Sequence, residues 1–228
     1  MPHINDFGQP IGYDLDGWAP PATPPRETIS GRLVTLEPLD ADAHAPGLAG
    51  SFHDAPASLW TYLSTGPFRS TEQFAAWIDA ISDLDDWLPY AVIVDGVPVG
   101  FLSYMRIDAA AGVIEIGSIG FAPMLQRTTA ATETLYLLLQ RAFELGYRRL
   151  EWKCDALNAP SRRAAERFGF RYEGTFRQAT HYKGRSRDTA WFAILDSEWP
   201  ALGDAFRAWL APENFDSNGR QRRSLTLD

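Results

Sequence analysis

The 228-residue sequence has little of what marks a secreted or membrane-bound protein. Its single cysteine, Cys154, excludes a disulfide framework and a thiolate metal site. No apolar run approaches the ~18 residues that a membrane-spanning helix needs. The first residues carry no basic stretch followed by an apolar segment, so no secretory signal is predicted. We therefore expect a cytoplasmic protein with no membrane partner.

Positive charge is also scarce, since 21 Lys and Arg residues face 29 Asp and Glu residues and the formal net charge is −8. A nucleic-acid-binding protein needs a basic face that displaces counterions from phosphates, so no nucleic-acid partner is expected. The acidic balance is compatible with a cationic substrate such as an amine, although it also serves solubility alone. His3, His44 and His53 lack metal-ligand spacing, so no metal is expected.

The distribution of proline separates the N-terminal segment from the rest of the chain. Six prolines fall within residues 1–30, and proline fixes φ and removes a backbone donor, so a proline-rich extended arm is predicted. Three apolar side chains would pin this arm to the domain: Tyr13, Leu15 and Trp18. Residues 31–198 carry the alternating elements of one globular domain. Residues 199–228 are predicted to form a closing helix and a polar, poorly ordered tail.

Hydrophobic periodicity predicts alternating strands and helices between these ends. After a first strand over residues 31–39, a helix is expected from Asp40, which suits an N-cap, to about Gly50. A second helix is expected from Thr71 to about Leu84. Two β-rich runs joined at Asp95-Gly96 predict a hairpin. A period of 3.6 over residues 129–145 predicts a third helix that ends at Gly146.

The later part of the chain adds more strands and a short helix. Strands are predicted over residues 148–156, 170–178 and 188–196. Arg187 and Asp188 are expected in the turn that leads into the last of these strands. The short helix ends at Gly169. This order predicts an α/β fold with a mixed, mostly antiparallel twisted sheet and helices on both faces.

The loop before the third helix is a candidate phosphate site. It has the sequence Gln126-Arg127-Thr128-Thr129-Ala130-Ala131 and follows the strand predicted over residues 112–121. A helix N-terminus has unpaired backbone N–H groups and the positive end of the helix dipole, so it attracts phosphate. Thr129 can cap the helix and donate its hydroxyl to a phosphate. On spacing alone, the same residues are also a good helix start.

A second segment runs from Asn158 through Pro160 and Ser161 to Gly169 and Phe170. Asn158 suits a helix cap, Pro160 the first turn and Gly169 the left-handed position after the last turn. These local roles explain the segment without a ligand, but they do not explain the strand, loop and helix upstream of it. Two arginines of the short helix would meet a phosphate or stay solvated: Arg162 and Arg163.

Together the two segments resemble the GNAT superfamily of N-acetyltransferases over residues 31–198, and within it the ribosomal-protein N-terminal acetyltransferases. The loop matches Q/R-x-x-G-x-G/A, with Thr129 in place of the central glycine, and Asn158 begins the family's N-x-x-(A/S) signature. The resemblance implies the GNAT fold and acetyl-CoA as acetyl donor. It also implies a backbone N–H that polarises the thioester carbonyl, with Gly117 and Gly120 permitting close approach. The implied cofactor-binding residues are Ile119, Gly120, Phe121, Gln126, Arg127, Thr128, Thr129, Ala130, Ala131, Asn158 and Arg163.

The implied catalytic groups depart from the family pattern. Ala165 stands where many relatives have a tyrosine acid, and Thr180 stands where the ribosomal branch has a glutamate base. Ser161 occupies the place of that branch's serine, so it is the candidate acid or hydrogen-bond donor to the thiol. Glu115, inside an otherwise apolar strand, is the candidate base, with His181 ranked second. The alternative for Glu115 is a buried ion pair with an arginine.

The sequence therefore predicts an acetyl-CoA-dependent N-acetyltransferase that moves an acetyl group to a primary amine by direct attack. The acceptor is a protein N-terminus, by branch resemblance, or a small amine, since aromatic residues are frequent in the first-helices region. The aromatic side chains concerned are Trp60, Tyr62, Trp77 and Trp87, for which core packing is the alternative. The rival hypothesis is a non-catalytic acyl-CoA-binding or regulatory module on the same fold. Exposed strand edges allow a homodimer.

Overall fold

The computed structural model describes residues 3–226, which form ten β-strands and five α-helices. The strands are β1 (His3–Ile4), β2 (Pro10–Ile11), β3 (Ile29–Ser30), β4 (Thr35–Pro38), β5 (Leu88–Val94), β6 (Val97–Asp108), β7 (Val113–Phe121), β8 (Arg149–Asp155), β9 (Arg171–Tyr182) and β10 (Arg185–Leu195). The helices are α1 (Ala41–Ser51), α2 (Thr71–Ser82), α3 (Thr129–Glu144), α4 (Ala159–Arg167) and α5 (Trp199–Leu210). None of these helices is long and apolar enough to cross a membrane.

Eight strands form one mixed sheet in the order β3-β4-β5-β6-β7-β8-β10-β9, while β1 and β2 pair separately. Every neighbouring pair in the large sheet is antiparallel except β7 and β8. That parallel ladder joins only residues 113–115 to residues 149–151. Beyond it the two strands separate and open a cleft in the middle of the sheet.

Helices cover both faces of the sheet, as the periodicity predicts. One apolar cluster packs α3, α4 and α5 against the sheet, with Leu139 and Phe206 fully buried. The other packs α1 and α2 against Phe101 and Ala91. Burying a side chain of this size contributes about 1.5–3 kcal/mol, so the two clusters hold the strands around the cleft in place. The predicted α/β class with a mixed, mostly antiparallel sheet is confirmed.

Several local predictions are confirmed. Asp40 caps α1, since its carboxylate accepts from the backbone N–H of Ala43 at 2.8 Å. Asp95 and Gly96 have φ of +49° and +77° and make the tight turn between β5 and β6.

The predicted ends of the third helix and the short helix are also confirmed, because each closes on a left-handed glycine. The N–H of Gly146 donates to Phe143 and the next N–H, of Tyr147, donates to Ala142. Gly169 and Phe170 repeat this pattern after α4. Only glycine adopts such a φ without strain, so these positions end the two helices that flank the cleft.

The last two strands of the sheet are longer than predicted. Arg187 and Asp188 lie in β10, and the turn is formed by Lys183 and Gly184 with φ of +47° and +71°. The turn at 187–188 is predicted because these polar residues follow no apolar alternation, and this prediction is wrong. Pairing between β9 and β10 holds them extended, and local sequence does not show that pairing.

The polar C-terminal segment is ordered through residue 226, so the prediction of a poorly ordered tail is wrong. Asn214 is buried, and its Nδ2 donates to the carbonyls of Trp209 and Arg223 at 2.9 and 3.2 Å. The indole Nε1 of Trp209 donates to Gln221 at 2.9 Å. One buried amide therefore satisfies backbone groups on both sides of the turn and folds the segment back onto α5.

The N-terminal arm contains no helix in its described part, residues 3–30, and its last two residues join the large sheet as β3. Trp18 donates to the carbonyl of Gly146 at 3.4 Å and lies under the guanidinium of Arg148. Tyr13 and Leu15 are 69% and 49% exposed, so these two of the three residues expected to pin the arm do not pin it. Closer to the sheet, buried Glu133 of α3 accepts from three successive backbone N–H groups, of Arg32, Leu33 and Val34.

Candidate active site

The separation of β7 and β8 opens a cleft of about 1140 Å³ that collects most of the candidate residues. Its walls come from β7, β8, the start of α3, the start of α4, the β9–β10 hairpin and the loop between α1 and α2. Five positive and two negative side chains line it, namely Arg106, Arg127, Lys153, Arg167 and Arg187 against Glu115 and Asp155. The cleft is therefore basic although the protein carries a net charge of −8, which suits a polyanionic ligand.

A bulge in β7 frees backbone groups at the centre of this cleft. Ser103 and Phe101 of β6 pair with Gly117 and Gly120, so β7 has one extra residue between these pairs. Ser118, at the bulge, has a φ of +50°. Because β8 has already separated, neither neighbouring strand pairs with Ser118 or Ile119. Both residues line the cleft, so their peptide groups are candidates to contact a ligand carbonyl.

The two glycines of β7 also pack closely against β6. A Cβ at Gly120 would lie 2.2 Å from the ring of Phe101, and one at Gly117 would lie 2.6 Å from Sδ of Met105. Packing within the sheet is therefore a reason for glycine at these positions beside the expected close approach of a ligand, which remains a prediction.

The start of α3 forms a backbone cradle at one end of the cleft. The residue that caps the helix is Thr128, whose hydroxyl accepts from the N–H of Ala131 at 3.1 Å and donates to the carbonyl of Leu125 at 2.7 Å. Thr129 is the first helical residue, so the expectation that it caps the helix is wrong. Arg127 has a φ of +62°. Within residues 3–226 no hydrogen bond satisfies the backbone N–H groups of Arg127, Thr129 and Ala130.

This cradle fits an anionic group. Unpaired N–H groups at a helix start, together with the positive end of its dipole, are the usual protein site for phosphate. The small side chain of Ala131 leaves room beside them. Gln126 lies next to the cradle, and its Nε2 donates to the carbonyl of Phe121 at 2.8 Å, which ties the loop to the end of β7.

Helix α4 brings Asn158 and Ser161 to the opposite wall. Asn158 caps the helix by accepting from the N–H of Ser161 at 3.1 Å, and Oγ of Ser161 accepts from Nε1 of Trp152 at 3.0 Å. The indole N–H occupies one lone pair of this hydroxyl, and the side chain of Ser161 also hydrogen-bonds the thiol of Cys154. Burial raises the pKa of the neighbouring Cys154 thiol, which keeps that group neutral.

Glu115 lies at the point where β7 and β8 separate, with its side chain only 4% exposed. Its Oε2 is 2.9 Å from Nζ of Lys153 and also bonds the guanidinium of Arg106. Lys153 is in turn 2.7 Å from Oε2 of Glu151. Both cations bond Oε2 and neither bonds Oε1, so one residue combines a buried ion pair with a second carboxylate oxygen in the cleft lining.

Tyr182 and Asp155 form a polar pair that the sequence analysis missed. The phenol donates to Oδ2 of Asp155 at 2.7 Å, and the pKa of Tyr182 rises to about 12, first through burial and then through this bond. A bulge in β9 opposite Asp188 re-aims the strand, so that Thr180, His181 and Tyr182 all line the cleft. The two residues are 27 positions apart in the chain and meet only because of the bulge. No local spacing in the sequence could therefore have predicted this pair.

The remaining wall comes from the loop between α1 and α2. Nζ of Lys183, at the hairpin turn, donates to the carbonyls of Trp60 and Thr65 at 2.7 and 3.1 Å. The hydroxyl of Tyr62 donates to the carbonyl of Leu157 at 3.1 Å. These bonds tie the loop to the β9–β10 hairpin and to the start of α4, so they fix the width of the cleft at this end.

The four aromatic residues expected to form a substrate wall separate into two groups. Trp60 packs among Phe52, Phe68 and Phe74 and is 3% exposed. Trp77 belongs to the same apolar cluster. The remaining two line the cleft: Tyr62 and Trp87.

Most, but not all, of the predicted site residues reach the cleft. Those that line it are Glu115, Ile119, Phe121, Gln126, Arg127, Thr128, Thr129, Ala131, Asn158 and Ser161. Ala130 contributes only its backbone N–H, and Gly120 faces β6. Arg163 is exposed and lies outside the cleft, because α4 turns it towards solvent, while Arg167 of the same helix lines the cleft.

Comparison with known proteins gives a consistent result. The family model for an acetyltransferase (GNAT) domain matches residues 33–171. The chain is similar to a GCN5-related N-acetyltransferase from Brucella melitensis, with 51% identity, a TM-score of 0.90 and coverage of 92% of this chain and 97% of that one. It is also similar to a probable acetyltransferase of the GNAT family from Chromobacterium violaceum, with 44% identity, a TM-score of 0.80 and coverage of 85% and 98%.

More distant similarity extends to other proteins. The uncharacterised N-acetyltransferase YnaD of Bacillus subtilis is 33% identical over 86 residues, which are 37% of this chain and 50% of YnaD. The chain thus matches only half the length of that curated relative. An acetyltransferase from Salmonella typhimurium and RimJ from Mycobacterium smegmatis share the fold, with TM-scores of 0.65 and 0.67 at 23% and 21% identity.

Proposed function

Because the chain belongs to the GNAT acetyltransferase family, we propose that it transfers the acetyl group of acetyl-CoA to a primary amine by direct attack. The observation that carries this proposal is the cleft between β7 and β8. It has an anion cradle at one end, free peptide groups of a bulge in the middle, and carboxylate and hydroxyl side chains beside that bulge. Such a cleft brings a donor and an acceptor to one point, which converts a bimolecular reaction into one within a complex.

The cradle at the start of α3 would hold the pyrophosphate of the cofactor. The N–H groups of Arg127, Thr129 and Ala130 donate to its oxygens, and the basic lining balances its charge. Asn158 would bond the amide-bearing arm along the opposite wall. Support for CoA as the ligand comes from RimJ of Mycobacterium smegmatis, which shares this fold and has been solved with CoA-disulfide.

Acetyl-CoA supplies a thioester whose carbonyl carbon the amine attacks. The N–H groups of Ser118 and Ile119, at the bulge in the cleft lining, would donate to the carbonyl oxygen and would stabilise the negative charge that develops there. Fixed backbone donors do not reorganise during the reaction, so this stabilisation is available at once.

Two side chains would assist the transfer. Glu115 would accept the proton of the amine on its free Oε1, while Lys153 and Arg106 hold Oε2 and orient the carboxylate. As the C–S bond breaks, Ser161 would donate a hydrogen bond from its hydroxyl to the departing thiolate, which would take its proton from solvent, while the Trp152 indole donates to the serine oxygen.

The acceptor is proposed at the level of a primary amine. A protein N-terminus is supported by the fold shared with the Salmonella typhimurium enzyme, which modifies the N-terminal serine of ribosomal protein L7/L12. A small amine is supported by the bonds of Lys183 and Tyr62, which join the loop between α1 and α2 to the β9–β10 hairpin and to the start of α4 and so limit the room for a large acceptor. Tyr62 and Trp87 would contact the apolar part of either acceptor.

Two measurements test this function. Isothermal titration with acetyl-CoA is expected to show one site, and thiol release is expected to rise with at least one member of a panel of amines and N-terminal peptides. Absence of acetyl-CoA binding would overturn the proposal. Binding without thiol release from any acceptor would instead favour the non-catalytic acyl-CoA-binding module.

A further inference from the structure

Arg187 of β10 is a cation in the cleft that the acetyl-transfer chemistry above does not use. Its Nε is buried and has no hydrogen-bond partner among residues 3–226. A buried donor without a partner is unfavourable, because it has lost its hydration and no protein group replaces it. A side chain held in this way in a binding cleft is expected to gain its missing bond from a ligand.

The other cations near the centre of the cleft are already engaged. Arg106 and Lys153 both bond Glu115. Lys183 donates to two backbone carbonyls of the facing loop. Among the described residues Arg187 belongs to no ion pair. It therefore brings a positive charge without a direct ion-pair partner into the site.

The carboxylate of Asp155, on the neighbouring strand β8, forms no ion pair with it. Asp155 pairs with Thr189 in the ladder between β8 and β10, two positions from Arg187. Its Oδ2 accepts from the phenol of Tyr182 at 2.7 Å and its Oδ1 accepts from the N–H of Leu157 at 2.8 Å. Asp155 is thus oriented by neutral donors, and the guanidinium is left for a ligand.

Arg187 lies on the wall of the cleft that the β9–β10 hairpin forms, whereas the cradle belongs to the start of α3. The N–H of Ala156 donates to the carbonyl of Asp188 at 2.8 Å, which holds this part of β10 against the loop that leads into α4. The charge of Arg187 acts on both Cys154 and Tyr182, lowering their pKa values against the larger raising effect of burial. Arg187 therefore lies beside the place where amine and thioester would meet.

We infer that Arg187 binds a carboxylate of the acceptor, so that the substrate is a small amine that carries a carboxylate, such as an α-amino acid. The inference rests on the proposed acetyl transfer and narrows its acceptor class. A guanidinium offers planar, paired N–H donors that match the two oxygens of a carboxylate. At a protein N-terminus the first residue carries a neutral peptide amide in place of the α-carboxylate. Such an acceptor would leave the positive charge of Arg187 without a partner.

The test compares α-amino acids with the matching α-amino-acid amides, which keep the amine and the side chain but lack the carboxylate. Because amine pKa values differ between acids and amides, the acid-to-amide ratio of kcat/KM is compared between protein variants. Arg187→Gln is expected to reduce this ratio about 10- to 100-fold, the effect of losing a charged hydrogen bond. Arg187→Lys is expected to fall between, since it keeps the charge and loses the paired geometry.

Arg177→Gln is the matched control, because Arg177 is exposed on β9 and lies outside the cleft lining. It removes the same charge and is expected to leave the ratio unchanged. An equal ratio in wild type and Arg187→Gln, or a preference of the wild type for uncharged amines, would overturn the inference. So would higher activity on an N-terminal peptide than on any amino acid.

A binding experiment separates this inference from the proposed function. Amino acids and the matching aminophosphonates are titrated calorimetrically into the CoA-bound protein and into its Arg187→Gln variant. Binding of the amino acid that weakens about 10-fold or more in the variant supports the carboxylate site even if no acceptor releases thiol. Binding of the aminophosphonate alone assigns the site to phosphate-like anions and contradicts the carboxylate assignment. No binding of either contradicts it as well.

Discussion

At the scale of single residues, Glu115 combines two properties that seldom occur together. It is buried in the sheet between two cations, and it still presents one oxygen to the cleft. The two cations bond Oε2 and fix the orientation of the carboxylate, and the cleft lining gives a proton a path from the amine. Its value as a base therefore depends on Oε1 alone.

We predict that Glu115→Gln lowers kcat/KM about 100-fold or more, the usual loss on removing a general base. The affinity for acetyl-CoA should change little, since the proposed phosphate cradle is distant in the chain. Thiol release and calorimetric titration measure the two quantities. Glu151→Gln is the matched control, because it also removes a carboxylate from Lys153 but Glu151 lies outside the cleft lining. Equal activity of the two variants would refute the assignment.

Ser161 gives a second prediction at this scale. Ser161→Ala is expected to lower kcat about 10- to 100-fold with an unchanged KM for acetyl-CoA, because the hydroxyl acts on the sulfur only as it departs. The variant also leaves the Trp152 indole N–H without its acceptor, at a cost of about 1–3 kcal/mol in stability. Trp152→Phe separates the effects, since it removes the same bond and keeps the hydroxyl. A kcat loss of the same size in Trp152→Phe would assign the effect to structure.

At the scale of elements, the cap of α3 links helix stability to ligand binding. Thr128 satisfies one N–H of the first turn with its hydroxyl and leaves the others for an anion. We predict that Thr128→Ala lowers the free energy of unfolding by about 1 kcal/mol and weakens acetyl-CoA binding, because the first turn frays. Thr128→Ser keeps the hydroxyl and should restore both. Urea unfolding and calorimetric titration measure them, and unchanged affinity in Thr128→Ala would separate the cap from the cradle.

Two β-bulges are the other elements on which the site depends. The bulge in β7 exposes the peptide groups of Ser118 and Ile119, and the bulge in β9 turns Thr180, His181 and Tyr182 into the cleft. Each one interrupts a ladder that would otherwise bury or misdirect these groups. The sheet is thus regular where it forms the core and irregular where it forms the site.

At the scale of the whole molecule, several buried phenols make the fold sensitive to alkali. Burial raises the pKa of Tyr90 and of Tyr147 from 10.0 to about 12, and it raises that of Tyr104 further. The folded protein therefore retains protons that the unfolded chain loses. Their contribution to stability is complete below pH 10.0 and is lost as the pH rises towards 12.

We predict that these phenols leave the urea midpoint of unfolding constant between about pH 8 and about pH 9.5. The upper limit lies on the order of half a pH unit below the pKa of an unfolded phenol, and above it the midpoint falls. Tyr90→Phe removes one such phenol and should flatten the decline. Absorbance titration of tyrosine should show the buried phenols ionising only with unfolding. An increase in the urea midpoint as the pH is raised above 10.0 would contradict the raised pKa values of these phenols.

The sequence by itself determined the local elements and the family. Asp40, the Asp95-Gly96 pair, Gly146 and Gly169 act within a few residues of chain, so periodicity and capping rules placed the helices and the hairpin at the centre of the fold. The two segments at Gln126 and Asn158 carried the resemblance, because helix starts bind phosphate through geometry that neighbouring residues define.

Only the tertiary structure decided which side chains meet. The pairing of Glu115 with Lys153, of Tyr182 with Asp155, and the unpaired guanidinium of Arg187 depend on strand divergence, bulges and pairing between distant strands. Arg163 was placed outside the cleft by the rotation of a helix on the sheet. These contacts join residues far apart in the chain, and the packing energy that selects them is not visible in any local pattern.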